Sequence, residues 1–571
     1  MTLVARIFGA LTLHTAAVVY LTWPLAPYLG SHVGCPTPAC HFDLRAAYWA
    51  QAWQVHALAT HPASVLDAPI FHPAKHALLF VVLGLGSLPI FAPVYLVSGN
   101  PTLAGNVAWL GAIVLTATAL HAVVRSWSGL ESAGAIAGLT FLTTRWVYWD
   151  WIPVAPTYAA LQYLPVIVWL LARPSLSTGM AGLLGVLLAL QCSADLVYVA
   201  LPVLAPTALV ALWRLGLRAT RADGLRIVGA IALATVLLLP LVAGYLDLRA
   251  GNPNLLHQTP WSWRARGTTL DDYLVGFNSP TSIAPAAAVL LLTGVAAAFA
   301  AGPVKPRAWQ QIALWTVVSV GLSLGPTLRV GDRVVPNHVD RLARAVLPML
   351  DAVRRPERMR AVALVGLCLL AGLAFATIVR AIRRRWLSGQ RAAPLLAVAM
   401  AAALYVSARV GWAGRNALVP PDQGYPLVRA IGPADPVVVA LRGGHGPVLE
   451  LPANVTDVVP HARAMSRALW HWRPVLNGYG SYWPLGFDLR MGIAASLPDP
   501  AALRSLRRAT GVATIVVHLN ELQPAQRIAW ETALAVPRDD FVSMRRLGQH
   551  LIVIEVGPHP PSAQAPAPSW P

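Results

Sequence analysis

The chain has 571 residues, of which 56% are apolar and only 12% charged, against about 25% charged in ordinary soluble domains. With a mean hydropathy of +0.57, this excludes a wholly soluble protein and implies a polytopic membrane protein. The net charge of +19 is almost entirely arginine, since Lys75 and Lys305 are the only lysines; the arginines cluster between apolar runs, so membrane topology explains them better than nucleic-acid binding does.

Arg6 precedes an apolar run from about 7 to 25. The run is long enough to span and no clear small-residue cleavage site follows, so an uncleaved helix is favoured over a signal peptide. The preceding arginine places the N-terminus in the cytoplasm, and the next segment, 26–77, becomes an outer loop. Between His41 and His76 it holds the first two acidic residues of the chain, Asp43 and Asp67, and the histidines His41, His56, His61, His72 and His76. Long connections between membrane helices are often functional. A carboxylate just past a helix exit is both solvated and close to a lipid-borne substrate, which makes Asp43 the leading candidate. Its alternative role is a cap, because the helix dipole favours a carboxylate in a first turn.

Within this loop Phe42, Ala46, Trp49 and Trp53 recur at helical spacing, which predicts an amphipathic helix along the outer membrane surface. Ala68–Pro73 reads as an extended turn, its two prolines blocking a helix. Cys35 and Cys40 form a local disulfide if the compartment is oxidising, although their spacing guarantees proximity and not geometry. Cys192 and Cys368 read as inert packing residues. Counting His32, the loop histidines are too irregular for a zinc motif. The sequence assigns no metal ligands and calls for no cofactor; a divalent metal stays open.

Further apolar runs lie at about 78–97, 103–124, 132–147, 158–172, 179–192, 195–213, 226–246, 283–302, 308–324, 360–380 and 393–411, each approaching the roughly 20 residues of a span. Two basic clusters mark the cytoplasmic side: Arg214, Arg218, Arg221 and Arg226, then Arg380, Arg383, Arg384, Arg385 and Arg391. They put loops 247–282 and 325–359 outside, with the C-terminal part. Twelve runs counted from Arg6 give the opposite parity, so one run between 78 and 213 is split, half-spanning or merged, and the expectation is about 11–13 transmembrane helices. Loop 247–282 carries Asp271 and Asp272. Loop 325–359 ends in Arg354, Arg355, Glu357 and Arg358. Outward arginines run against the positive-inside trend, and guanidinium forks match phosphate oxygens; the alternative is a solvated helix start with Glu357 paired locally. Asp150 and Asp195 sit near run ends and read first as snorkelling carboxylates.

After residue 412 the composition changes. Residues 413–556 are expected to form a soluble α/β domain on the outer face, and 557–571 a disordered tail. Val437–Leu441, Val448–Leu451, Ala513–Val517 and Leu551–Val556 look like strands. Pro500–Ala509 looks like a helix capped by Asp499.

The order of these features resembles the GT-C fold of integral-membrane glycosyltransferases, in its bacterial polytopic form. Asp43 through Trp53, His61-Pro62 and Ile70-Phe71-His72-Pro73 are similar to that family's aspartate, tryptophans, x-Pro turn and "ifyP" segment. Gln162-Tyr163-Leu164-Pro165 is similar to its "qwlP" helix start, and Thr269–Leu274 to its second outer loop. Arg354–Met359 resembles "RxPxRF", and Arg473–Tyr479 resembles "RPlvNGy". The resemblance implies a polytopic all-α membrane domain, residues 1–412, with a C-terminal soluble α/β domain. It implies transfer of a hexosyl or pentosyl unit from a polyprenyl-phosphate donor, among membrane lipid at the outer face of the cytoplasmic membrane, to a cell-envelope glycan, lipid or protein hydroxyl. Asp43 would be general base; Arg354, Arg358 and Arg355 would bind phosphate. Many members pair two acidic residues at the start of the first loop. Asp43 has no adjacent partner, so Asp67, Asp271 or Asp272 would have to support it. A transporter or flippase, or a non-catalytic membrane scaffold, is the alternative. A transporter should carry broken helices with paired midplane charges, whereas the polar residues here gather in outer loops.

Overall fold

The structure is a computed structural model that describes residues 3–148, 152–253, 255, 284–302, 305–330, 333–346, 350, 353, 355–385, 389–412 and 424–557. Asp150, Asp271, Asp272 and Arg354 lie outside the described residues. The described chain divides into two compact units. One runs to Val65 and from Val81 to Ala430; the other joins Leu66–Phe80 to the chain from Ile431 onward.

The first unit is helical: Leu3–Leu21 (α1), Asp43–Thr60 (α2), Leu88–Ser98 (α3), Pro101–Ser128 (α4), Glu131–Leu142 (α5), Arg145–Tyr148 (α6), Leu164–Leu171 (α7), Thr178–Cys192 (α8), Ala200–Gly216 (α9), Arg221–Gly251 (α10), Pro285–Ala301 (α11), Pro306–Ser323 (α12), His338–Val346 (α13), Arg360–Arg385 (α14) and Gly389–Trp412 (α15). Among the described residues four helical stretches are long and apolar enough to cross a membrane: Val4–Leu21, Pro101–Ser128, Arg218–Gly251 and Pro356–Arg384. Seven shorter apolar helices accompany them. Helix ends follow local chemistry. At α4 the Asn100 side chain accepts from the Thr102 and Leu103 N–H groups, Pro101 opens the first turn, and Gly129 at φ 75° closes the helix. At the C-terminal end of α7, Arg214 from α9 donates to the carbonyls of Leu171 and Arg173, both at 2.7 Å.

The central helix is α14, buried over most of its length, with α4, α5, α11 and α12 against it. Small residues let these backbones approach. A Cβ on Gly294 would meet Ala374 at 2.2 Å, and one on Gly372 would meet Ala137 and Val124 at 2.8 Å.

The apolar run 78–97 is not one helix. It breaks at Gly84, at φ 62°, into 3-10 turns and the 11-residue α3, which at 1.5 Å per residue is too short for a 30 Å core. The chain from Gly424 to Ala430 stays with the first unit, although the composition change at 412 suggested an earlier boundary. The strand Leu427–Arg429 (β4) pairs antiparallel with His32–Gly34 (β1), and Tyr425 donates to the Tyr148 carbonyl at 2.7 Å. A hairpin, Thr327–Val330 (β2) and Arg333–Pro336 (β3), precedes α13.

The second unit holds a four-stranded sheet in the order β5-β6-β8-β7, from Val448–Leu451 (β5), Thr514–His518 (β6), Phe541–Leu547 (β7) and Leu551–Val556 (β8); β5 and β6 are parallel, the other pairs antiparallel. Helices Pro436–Leu441 (α16), Val458–Ala468 (α17), Phe487–Ala495 (α18), Pro500–Thr510 (α19) and Pro524–Ala535 (α20) accompany it. The expected helix from Pro500 is there, with the Asp499 side chain accepting from the Ala502 N–H. Val437–Leu441, expected as a strand, is helical: Asp435 caps it through the Val437 and Val438 N–H groups and Pro436 occupies its first turn, which overrides the β propensity of three valines.

Two motifs far apart in sequence meet inside this unit. The Phe71 and His72 N–H groups donate to the carbonyls of Asn477 and Val475, and the Val475 N–H donates to Pro69. The Asn477 amide pairs with both backbone groups of Glu450, at 2.8 and 2.9 Å. A Cβ on Gly478 would strike the Phe71 ring at 2.3 Å. Backbone pairing thus joins the two segments.

Candidate active site

Asp43 opens α2, whose N-cap is Phe42. The stretch before it is short and tied down: Cys35 and Cys40 are joined in a disulfide, with Cα atoms 5.2 Å apart. The helix was expected as an amphipathic one along the outer membrane surface. Instead Trp49 is fully buried, Trp53 is 9% exposed, and polar residues on several faces are engaged by protein. Tyr48 donates to Asn106 at 2.9 Å, and Asn106 donates to the Leu29 and His32 carbonyls at 2.7 Å each. Gln51 donates to Ser87 at 2.5 Å and to the Gly84 carbonyl at 3.3 Å; Gln54 reaches the Leu83 carbonyl at 2.7 Å and Trp53 the Val65 carbonyl at 2.9 Å. A buried helix needs such partners for each polar side chain. Together they fix the direction in which Asp43 leaves the helix.

Arg358 lies on the 3-10 turn Pro356–Met359, which leads into α14. Asp43, Tyr158, Tyr198 and Glu357 all lie within electrostatic reach of its guanidinium. That guanidinium sits over the Tyr198 ring, 5.3 Å from its centroid, a cation–π distance. The Tyr198 hydroxyl accepts from the Arg355 N–H at 3.2 Å. The Arg355 side chain pairs with Glu357 at 3.4 Å, the local pairing foreseen as the alternative for this cluster. Tyr158, on the 3-10 turn Pro156–Ala159, donates to Asp195 at 2.8 Å. Just beyond it, α7 begins at Leu164, and Tyr163 and Gln162 both donate to the Gly86 carbonyl, at 3.0 and 3.4 Å.

The site thus gathers four places in the chain: the start of α2, the turn before α7, the α8–α9 connection and the turn before α14. A half-buried carboxylate stands in the field of a half-buried guanidinium backed by two phenols. Such a set can accept a proton on one side and hold an anion on the other. Asp67 belongs to the second unit, where one oxygen accepts from the His76 N–H at 2.8 Å. Asp195, read from sequence as a snorkelling residue, is instead a member of the Tyr158–Tyr198–Arg358 cluster. The nearby signal was Tyr198, three residues on.

His41, beside Asp43 in sequence, has a pKa held below its ordinary value by burial and by the Arg45 charge. Cys35, Cys40 and His41 bring three donor atoms within 4.8 Å of one another, but the disulfide leaves no thiolate to bind a metal. A cavity of about 280 Å³ in the second unit is lined by Asn454, Asp457, Glu521, Gln526 and Trp530 among others; none of the described candidate site residues lines it.

Among solved structures, the chain is similar to ArnT from Cupriavidus metallidurans in the apo state, at 12% identity and a TM-score of 0.50, over 97% of this chain and 99% of that one. ArnT bound to undecaprenyl phosphate gives 12% identity and a TM-score of 0.49 over the same shares. The arabinofuranosyltransferase AftD from Mycobacteria matches at 15% identity and a TM-score of 0.53, over 96% of this chain and 41% of that longer one. No family model matches the sequence, and no curated protein matches it. At such identities the likeness is one of fold alone: the chain shares the GT-C fold of these structures.

Proposed function

We propose that the protein is a multi-pass membrane glycosyltransferase that moves a sugar from a polyprenyl-phosphate donor to an acceptor hydroxyl at the outer face of the cytoplasmic membrane. The observation that supports the reading is that Asp43 lies within electrostatic reach of the Arg358 guanidinium, in a chain with a GT-C fold. In this reading the acceptor oxygen attacks the anomeric carbon, Asp43 takes the hydroxyl proton, and the bond from that carbon to the phosphate oxygen breaks. The electron pair leaves with the polyprenyl phosphate. Arg358 meets the growing charge on that phosphate, with Arg355 and Arg354 contributing to the positive field. Asp271 and Asp272 remain candidates for a supporting carboxylate in the second outer loop; Asp67 is the weaker candidate, because one of its oxygens already holds the loop that carries it. The second unit, from Ile431, is in this reading the soluble α/β domain on the outer side, and the acceptor is a cell-envelope glycan, lipid or protein. ArnT, solved with undecaprenyl phosphate, supports the choice of donor class.

The test is release of lipid phosphate. Full-length protein in proteoliposomes is given polyprenyl-phosphate pentoses and hexoses with cell-envelope acceptor extract. Free polyprenyl phosphate should accumulate with wild type and not with Arg358→Gln. Equal release from both proteins, or none from any donor, would end the proposal.

A further inference from the structure

Resting on the reading of a phosphate at Arg358, we infer that Asp195 is a positioning residue: through Tyr158 and Tyr198 it holds the Arg358 guanidinium ready to receive the lipid phosphate. The carboxylate divides its two oxygens between two tasks. Oδ1 accepts from the Val197 and Tyr198 N–H groups, at 2.9 and 2.7 Å, which closes the turn that presents Tyr198. Oδ2 accepts from the Tyr158 hydroxyl at 2.8 Å. Tyr198 then lies under the Arg358 guanidinium and accepts from the backbone of Arg355. Tyr158, 1% exposed, faces the same guanidinium from within electrostatic reach. Val197, Tyr198 and Leu201 pack against Leu350, Val353 and Met359, which joins the α8–α9 connection to the arginine turn through apolar contact.

The chemistry explains why such a relay helps. An arginine side chain has much rotamer freedom to lose when it binds an anion. A ring face beneath it and fixed dipoles beside it remove that freedom beforehand, which is preorganisation. Asp195 touches neither substrate nor reacting atoms in this scheme; it acts through the two tyrosines.

The competing role is a turn closure at the start of α9, and one substitution separates the two. Asp195→Asn keeps an oxygen for the Val197 and Tyr198 N–H groups. It replaces the other oxygen by an NH2 group, which donates and cannot accept from Tyr158. Tyr158→Phe removes the same bond from the other end. Full-length protein in nanodiscs is titrated with undecaprenyl phosphate and, separately, with undecaprenol, and thermal unfolding is recorded on the same samples. Each variant should bind undecaprenyl phosphate about tenfold more weakly than wild type, as for loss of a buried charge-assisted hydrogen bond. Undecaprenol binding should be unchanged, and the double variant should bind no more weakly than either single one. Wild-type affinity for undecaprenyl phosphate in Asp195→Asn would overturn the inference. So would a parallel loss for both lipids, which marks a structural role. If Asp195→Asn does not fold, Tyr158→Phe carries the same expectations alone. A wild-type protein that does not distinguish the two lipids would refute the phosphate reading itself, and the inference with it.

Discussion

Replacing Asn106 by leucine should loosen the segment that carries Asp43, and the size of the effect follows from three hydrogen bonds. Asn106 is fully buried on α4. It accepts from Tyr48 on α2 and donates to Leu29 and His32, the latter in β1. Leucine keeps the volume and removes all three bonds. The hydroxyl of Tyr48, a residue only 6% exposed, is then left without its acceptor, at about 1–3 kcal/mol. The two carbonyls belong to half-buried residues that water can reach, so each costs about 1 kcal/mol. The total is about 3–5 kcal/mol. Tyr48→Phe alone should cost about 1 kcal/mol, and the pair should be non-additive because the two share a bond. Unfolding of purified full-length protein in detergent, followed by tryptophan fluorescence, reads both. An Asn106→Leu protein within about 0.5 kcal/mol of wild type would show that this bond set does not hold α2 in place.

Three further outcomes are expected. The Cys35–Cys40 bridge closes a short loop, so Cys35→Ser should cost about 2 kcal/mol; alkylation before and after reduction should show two thiols becoming reactive, and a bridge-free wild type would contradict this. In the second unit, burial alone would raise the Glu450 carboxyl, but Arg467 and His518 outweigh it and hold it at about 2, while burial holds His461 and His471 at about 4. The histidines stay neutral when folded and charge when unfolded, so their contribution is lost as pH falls from 6.5 to 4, by up to roughly 3 kcal/mol each, and that of Glu450 is lost from 4.5 toward 2. A denaturation midpoint of this unit that is flat between pH 7.5 and 4.5 would be the contrary result. For orientation, Gln549→Cys, at an exposed position, should react with an impermeant maleimide in intact cells; reaction only after permeabilisation would put the second unit in the cytoplasm.

Local signals were legible in the sequence where a residue acts on its own neighbours. Asp43 falls in a first turn, Leu164-Pro165 begins a helix, and Asp499 caps one, because caps and prolines act within a few residues. What escaped depends on distant partners. Asp195 sits 37 positions from Tyr158, and its position near a run end looked like snorkelling. Trp49 and Trp53 have the spacing of a lipid-facing stripe, but Ser87, Leu83 and Asn106 supply partners on the other faces of the helix, so α2 is buried. The run 78–97 has the composition of a span, yet Gly84 and the 3-10 turns leave only 11 residues of helix. The pairing of Ile70–Pro73 with Arg473–Tyr479 is likewise invisible without the fold.

The central claim is that Asp43 is the general base of sugar transfer, and one substitution addresses it directly. Asp43→Asn preserves size and the first turn of α2 but cannot accept the acceptor proton. Lipid-linked sugar transfer in proteoliposomes should fall by a factor on the order of 100 to 10,000, with undecaprenyl phosphate binding and thermal unfolding close to wild type. Transfer at a near-normal rate by Asp43→Asn would contradict the account.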